Sequence, residues 1–401
     1  MRKLIVWFVA LPLAALAFLL ALGSVTKLRN PDVAMAIWPT PGLTYEREAE
    51  AAFGARLGEE LAQIESVYRA PDGALAMRAF RNEPTAFFSL GLLSLAASAN
   101  GDTQRAREMF EIVSALDKRQ SLANLWLLFD YGRSDRLGAM LGAADRLFRA
   151  NVQARDRIMP GLAQATSVEG AVPAIEAQLA DDPPWSFQYW WALVRQPAAF
   201  DNAAILRERA AARGLAVPDG FDRAFLFALA EAGKLERAQQ LAATLTKTEP
   251  TRATRDATLE FDFTDEAGLP PFAWDVLSEG DFGGYLEPQL GEIGISAVAR
   301  SGGVVARRLV QFAPGSYAMT VTARLGGTSE PPVSVVVRCA TRTRPQIGAV
   351  ELTERNTETT FAVPGSACEY GWIEIEAERV DDPEGYDVAI EAIRIAPANR
   401  R

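Results

Sequence analysis

Two acidic pairs, Glu374 with Glu376 and Asp381 with Asp382, come nearest to a catalytic constellation in this chain, because two carboxylates suffice to hydrolyse a glycosidic bond. Strand spacing puts Glu374 and Glu376 on one face of an open sheet, and Asp381-Asp382-Pro383-Glu384-Gly385 reads as a turn. The sequence has no histidine, which excludes a Ser-His-Asp triad, a Cys-His pair, His-ligated zinc and a histidine pH switch. The glycines of Ser301-Gly302-Gly303 and Leu325-Gly326-Gly327 fall in loops without a phosphate-cradling pattern. A net charge of -10 disfavours nucleic-acid phosphates as a partner. The reading is a non-enzyme with no catalytic, cofactor or metal residues, and a glycosidase is the lesser alternative.

Binding chemistry is better represented. In Tyr370-Gly371-Trp372-Ile373-Glu374-Ile375-Glu376-Ala377, alternation sends Ile373, Ile375 and Ala377 inward and leaves Trp372 on the polar face with Glu374 and Glu376. An outward Trp372 with Tyr370, Glu374 and Glu376 offers a ring for the apolar face of a sugar and carboxylates for its hydroxyls. The competing reading packs Trp372 beneath a loop or against the helical half. A second cluster, Trp185, Tyr189, Trp190 and Trp191 beside Phe187, is a candidate partner surface, although core filling is the simpler reading for aromatics on several sides of a helix opened by Pro183 and Pro184. Trp274 suits a plug at the end of a sandwich. Glu260, Asp262 and Glu391 could hold calcium only if their strands meet, and solvated carboxylates are the simpler account. The apolar phase changes between Val388-Ile390 and Ile393-Ile395, which predicts a bulge or twist near Glu391. The charged runs at 151–157 and 207–213 read as solvated helix faces.

These residues need elements to position them. Residues 4 to 22 are an uncharged apolar run of roughly 29 Å as a helix, enough to span a bilayer core. Arg2 and Lys3 precede it, so the following chain is expected outside the cytoplasm. A cleaved signal peptide ending at Ala21-Leu22-Gly23 is the alternative. In an oxidising compartment Cys339 and Cys368 are expected to pair; two buried free thiols remain open, and zinc without histidine is disfavoured. From 44 to 248, Ala, Leu, Arg and Glu with apolar residues three and four apart predict helices. Residues 249 to 256 read as a linker. From 257 to 397, Val, Ile, Thr, Phe and Tyr alternate with polar residues between Gly and Pro, predicting strands. The fold class is therefore multidomain α and β: a transmembrane helix, an α-helical hairpin solenoid and an antiparallel β-sandwich or jelly roll.

Asn100-Gly101-Asp102 followed by Ala106, Phe110 and Val113 on one helix face resembles the tetratricopeptide repeat, with Ala106 and Phe110 at its small and aromatic positions. Leu90, Ser94 and Ala97 replace its usual Trp, Gly and Tyr, and Gly233, Ala238 and Pro250 give a second partial match. The strand rhythm from Leu259 onward resembles galactose-binding-like jelly rolls used as carbohydrate-binding modules. The order of anchor, degenerate repeats and sandwich resembles bacterial envelope proteins connected with exopolysaccharide production. The residues give a non-catalytic, inner-membrane, single-pass scaffold or assembly protein with most of its chain in the periplasm, and the resemblance implies a role in envelope polysaccharide production. Its helical domain would bind an envelope protein; a carbohydrate-binding protein that reads glycans with its jelly roll is the alternative.

Overall fold

Asp102 shows how the helical half is punctuated. Its carboxylate accepts the Arg105 backbone N–H at 3.2 Å, satisfying one of the orphan donors at a helix start, and Gly101 before it holds φ +85°, a left-handed turn that glycine adopts without strain. The computed structural model describes residues 14–15, 17–18, 42–57, 68, 70–249, 251–254, 257–261, 263, 268–325, 333–381 and 385–398. The apolar run 4–22 lies almost wholly outside these, as do Pro250, Asp262 and the Asp382–Glu384 part of the acidic turn. Among the described residues no helix is long and apolar enough to cross a membrane.

Twelve α-helices are described: α1 Gly42–Leu57, α2 Ala70–Asn82, α3 Phe87–Ala99, α4 Thr103–Leu116, α5 Ser121–Arg133, α6 Leu137–Ala150, α7 Val152–Ala165, α8 Ala171–Leu179, α9 Ser186–Leu193, α10 Phe200–Arg213, α11 Phe221–Glu231 and α12 Leu235–Thr246. The chain forms two compact units. The first runs to Met159 and includes Pro173–Ser186; the second comprises Pro160–Val172 and everything from Phe187 onward. The passage at Met159 falls inside α7 at Pro160, a residue that removes a helical hydrogen bond.

In the first unit successive helices pair, α1 with α2, α3 with α4 and α5 with α6. Ala106 and Phe110 are fully buried, and Phe110 stacks on Trp126 at 4.7 Å. The run 151–157 is not wholly solvated. Arg155 is buried because its guanidinium donates to the Phe148 carbonyl at 3.0 Å and the Pro184 carbonyl at 3.4 Å, capping the carbonyl end of α6. Glu46 does the reverse, accepting the Ser89 backbone N–H at 3.1 Å at the start of α3.

The second unit contains the sandwich. Its strands are β1 Arg252–Ala253, β2 Leu259–Phe261, β3 Asp275–Val276, β4 Phe282–Glu287, β5 Glu292–Ala297, β6 Gly303–Phe312, β7 Gly315–Leu325, β8 Val333–Cys339, β9 Gln346–Glu351, β10 Asn356–Val363, β11 Tyr370–Ala377 and β12 Tyr386–Pro397. One sheet has the order β1-β6-β11-β8-β9 with β3 beside β6; the other has β10-β7-β12-β5-β4 with β2 beside β12. Among the described residues all strand pairings are antiparallel except β1 with β6. The short strand β1 lies inside the segment that reads as a linker and joins the first sheet instead.

Alternation fills the space between the sheets. Tyr317, Met319 and Val321 of β7 and Ile373 and Ile375 of β11 are buried in one core. Trp274 closes one part of it, with ring centroids 6.2 Å from Phe261 and 5.3 Å from Phe263. Cys339 and Cys368 are bonded, closing a loop whose tethering contributes on the order of 3 to 4 kcal/mol in the chain-entropy model.

Glu46 generates a pH prediction. Burial pushes its carboxyl above the usual range, with Glu50 and Glu83 adding to the rise and the Ser89 and Phe88 amides opposing it. The fold therefore prefers the neutral carboxyl, so its contribution is complete below the ordinary carboxylate pKa and is lost as pH rises through the raised value. Melting temperatures of the wild type and Glu46→Gln, compared from acid to neutral pH, should show the wild type losing ground to the variant as pH rises.

Candidate functional site

The β11 face begins with alternation and is decided by what covers it. Trp372 projects opposite Ile373, as its strand position requires, and lies between Leu309 of β6 and Arg338 of β8 in the register. The expected open platform is absent: Trp372 is 5% exposed. Phe227 of α11 stacks on it, with centroids 6.0 Å apart and planes within 4°. Tyr370 is buried too, and its hydroxyl donates to Gln239 Oε1 on α12 at 3.0 Å. That burial pushes its phenol up to about 12. An outward strand position therefore became a second core because the last two helices lie on it, with Ala230, Leu309, Tyr370 and Trp372 packed together.

Charges surround this aromatic seam. Arg307 lies 4.4 Å over the Phe227 ring and 5.6 Å from that of Trp372, and Arg344 lies 5.3 Å from Trp372. Asp275, 2% exposed, accepts from Arg223 of α11 at 2.6 Å and from Arg307 of β6 at 3.0 Å. Glu374 is buried and meets Arg338 at 2.9 Å and Arg344 at 3.5 Å, and the half-buried Glu376 meets Arg338 at 2.7 Å. A carboxylate held by two guanidiniums offers its lone pairs to protein, not to a sugar. Of the four residues expected to bind ligand, Trp372 and Tyr370 form a docking seam with the last two helices, and Glu374 and Glu376 pair with arginines of the sandwich itself.

The aromatic cluster around α9 divides by burial. Trp185, Tyr189 and Trp190 are buried. Trp185 donates to Asp145 Oδ1 at 3.0 Å, Tyr189 shares a 2.7 Å hydrogen bond with Thr166, and Trp190 packs on Phe221 at 5.0 Å. Burial also raises the Tyr189 phenol. Only Trp191 of the four candidates reaches the half-buried side, next to Phe187, which is 59% exposed. Phe187 and Trp191 are four apart on α9, whereas Trp185, just before α9, packs within the first unit and Tyr189 and Trp190 pack within the second.

The second sheet carries what sequence reasoning missed. Tyr285 of β4 is 47% exposed and sits beside Gly294 of β5 in the register. A Cβ on Gly294 would fall within 2.6 Å of three atoms of the Tyr285 side chain, so the ring lies where a side chain at 294 would be. Two residues away, Glu292 is 5% exposed and is ion-paired with Arg324 of β7. A register shift between Ile390 and Ala392 confirms the bulge expected at Glu391, which meets Arg355 at 3.4 Å. Ala323, Arg324, Leu325, Arg355 and Glu391 line a cavity of about 360 Å³. The missed signal was the Gly294 opposite an aromatic, visible only once β4 and β5 are aligned. Among the described residues no group of three acidic or sulfur ligands could hold a metal; of the calcium candidates, Glu260 faces Arg394 across β2 and β12, and Asp262 is outside the described residues.

The docking seam predicts the behaviour of Trp372. Truncating a buried aromatic costs about 3 to 5 kcal/mol, so Trp372→Ala should lower the melting temperature by on the order of 10 °C, and Phe227→Ala should do nearly as much. Differential scanning calorimetry checks both; unchanged melting in the two variants would mean that neither ring carries the seam.

No family model matches the chain, and no curated protein matches it. Among solved structures it is similar to a Glycosylation Associate Protein (Gap123) complex from Streptococcus agalactiae at 14% identity and TM-score 0.24, with 32% of this chain covering 44% of that one. It is also similar to a CBM4 structure at 12% identity and TM-score 0.26, covering 37% of this chain and 100% of that one. A Cry1Da tryptic core variant from Bacillus thuringiensis aligns over 94% of this chain and 98% of that one at 10% identity and TM-score 0.16. Likeness at this level carries no functional argument, and the site geometry is left to supply it.

Proposed function

We propose that the protein is a non-catalytic, membrane-held scaffold or assembly protein of the cell envelope, with its bulk in the periplasm, acting in polysaccharide production. The observation that carries this reading is the docking seam: Trp372 stacked on Phe227, and Asp275 clamped by Arg223 and Arg307, fasten the sandwich to the last helices. A β-module fastened in this way presents its other sheet in a fixed orientation to α11 and α12, which suits assembly more than turnover. The Cys339–Cys368 bond supports an oxidising compartment, and the apolar run 4–22 behind Arg2 and Lys3 supports retention at the membrane. On this reading the helical hairpins hold an envelope protein through their exposed residues, among them Ile112 and Leu116 of α4.

The second reading, carbohydrate binding by the sandwich, is favoured by one observation, the exposed Tyr285 on the outer face of the second sheet.

In-cell photo-crosslinking tests the first reading. Probes placed at Ile112 and Leu116 of the full chain should capture one and the same envelope protein, and the chain should stay with the inner-membrane fraction after alkaline extraction. Probes that capture nothing reproducible, together with a freely soluble chain processed after Gly23, would overturn it.

A further inference from the structure

Strand registers place a set of unlike side chains on one outer face of the second sheet. Ile293 and Ile295 point into the core, so Glu292 and Gly294 point outward. Val388 and Ile390 are in the core as well, which turns Ala389 outward between Gly294 of β5 and Arg324 of β7. Tyr285, Gly294, Ala389 and Arg324 thus form one row across four strands. The Tyr285 ring covers Gly294, and Ala389 leaves the row low between that ring and Arg324.

Three features of this face go beyond what packing requires. Tyr285 lays its ring over Gly294 and leaves 47% of itself in solvent, although Leu286 beside it packs against the core. Glu292 is 5% exposed on an outward position, held by Arg324, which crosses β12 to reach it. At the bulge, Glu391 leaves the regular ladder and turns to Arg355 beside the cavity of about 360 Å³; bulges re-aim side chains in this way next to sites.

Resting on the carbohydrate-binding reading, we infer that this face is a saccharide site, with Tyr285 as the stacking platform and the Arg324–Glu292 and Arg355–Glu391 pairs as its polar rim. The chemistry selects the ligand class. An exposed aromatic face favours an apolar surface, whereas the two ion pairs need hydrogen-bonding partners to stay satisfied when water leaves. A pyranose ring meets both demands, with C–H bonds on its face and hydroxyls on its edge. The Arg355–Glu391 pair presents a donor and an acceptor side by side, matching vicinal hydroxyls, which are both, and Arg324, fixed by the buried Glu292, adds donors. Glu287, opposite Glu292 across β4 and β5, joins Glu292 and Glu391 around Arg324, so carboxylates outnumber the two guanidiniums and the face disfavours anionic saccharides relative to neutral ones.

The test is calorimetric titration of the detergent-solubilised full chain with neutral hexose hexasaccharides of α-glucan, β-glucan, galactan and mannan type, and with hexagalacturonate as the anionic probe. At least one neutral oligosaccharide should bind, with affinity little changed by raised salt. Tyr285→Ala should weaken that binding by about tenfold without lowering the melting temperature, and Glu391→Gln should weaken it several-fold. Thr360→Ala, on the exposed face of β10, should bind as the wild type does. Neutral binding that survives both Tyr285→Ala and Glu391→Gln overturns this site but leaves the carbohydrate-binding reading intact. Binding of hexagalacturonate alone overturns the neutral class, and no saccharide binding by the wild type overturns the site and that reading together, leaving the scaffold reading standing.

Discussion

Asp275 is the constraint around which the C-terminal unit is arranged. A carboxylate that is 2% exposed is tolerable only when paired, and its two partners come from different layers: Arg223 from α11 and Arg307 from β6. Burying Asp275 therefore requires the helix and the sheet to be docked. The two guanidiniums also lie over the ring of Phe227, at 5.4 Å and 4.4 Å, so the charge that neutralises Asp275 is part of the aromatic stack that buries Trp372. Loss of either layer leaves the other with an unpaired ion or an exposed indole.

This coupling explains why the fold was more legible than the site. Alternation read each strand correctly on its own terms: Tyr317, Met319, Val321, Ile373 and Ile375 are core residues, and Trp372 does oppose Ile373. A period of two names the face and cannot say what covers it. Phe227 and Arg223, which turn the outer face of β11 into an interior, lie far upstream in helical sequence, in a segment whose own apolar pattern was satisfied without them. Asp275 was silent for the same reason, being one acidic residue after Trp274 until Arg223 and Arg307 are brought to it. Core filling holds for Tyr189 and Trp190 of α9 and for Trp185 just before it. The charged run 151–157 misled because Arg155 satisfies backbone carbonyls at a helix end, an arrangement that leaves no periodic trace.

The outer face of the second sheet was legible at one point only. The phase change along β12 located the Glu391 bulge, because a bulge shifts the apolar period and the shift survives in sequence. Tyr285 left no such mark: Phe282-Gly283-Gly284-Tyr285 has too little alternation to orient a strand, and the space that its ring fills belongs to Gly294. The two faces of the sandwich thereby divide the work. The β11 face packs Tyr370 and Trp372 on the helices, and the β4-β5-β12-β7 face keeps one aromatic and two ion pairs at the solvent boundary.

Native-state hydrogen exchange tests the coupling most directly. If the Asp275 clamp and the Trp372–Phe227 stack make sheet and helices one cooperative body, the core amides of α11 and β11 should open with the same free energy and the same denaturant dependence. Exchange of the α11 amides through an opening several kcal/mol cheaper than that of β11 would contradict the account, showing that the helices leave the sheet while the sandwich remains folded.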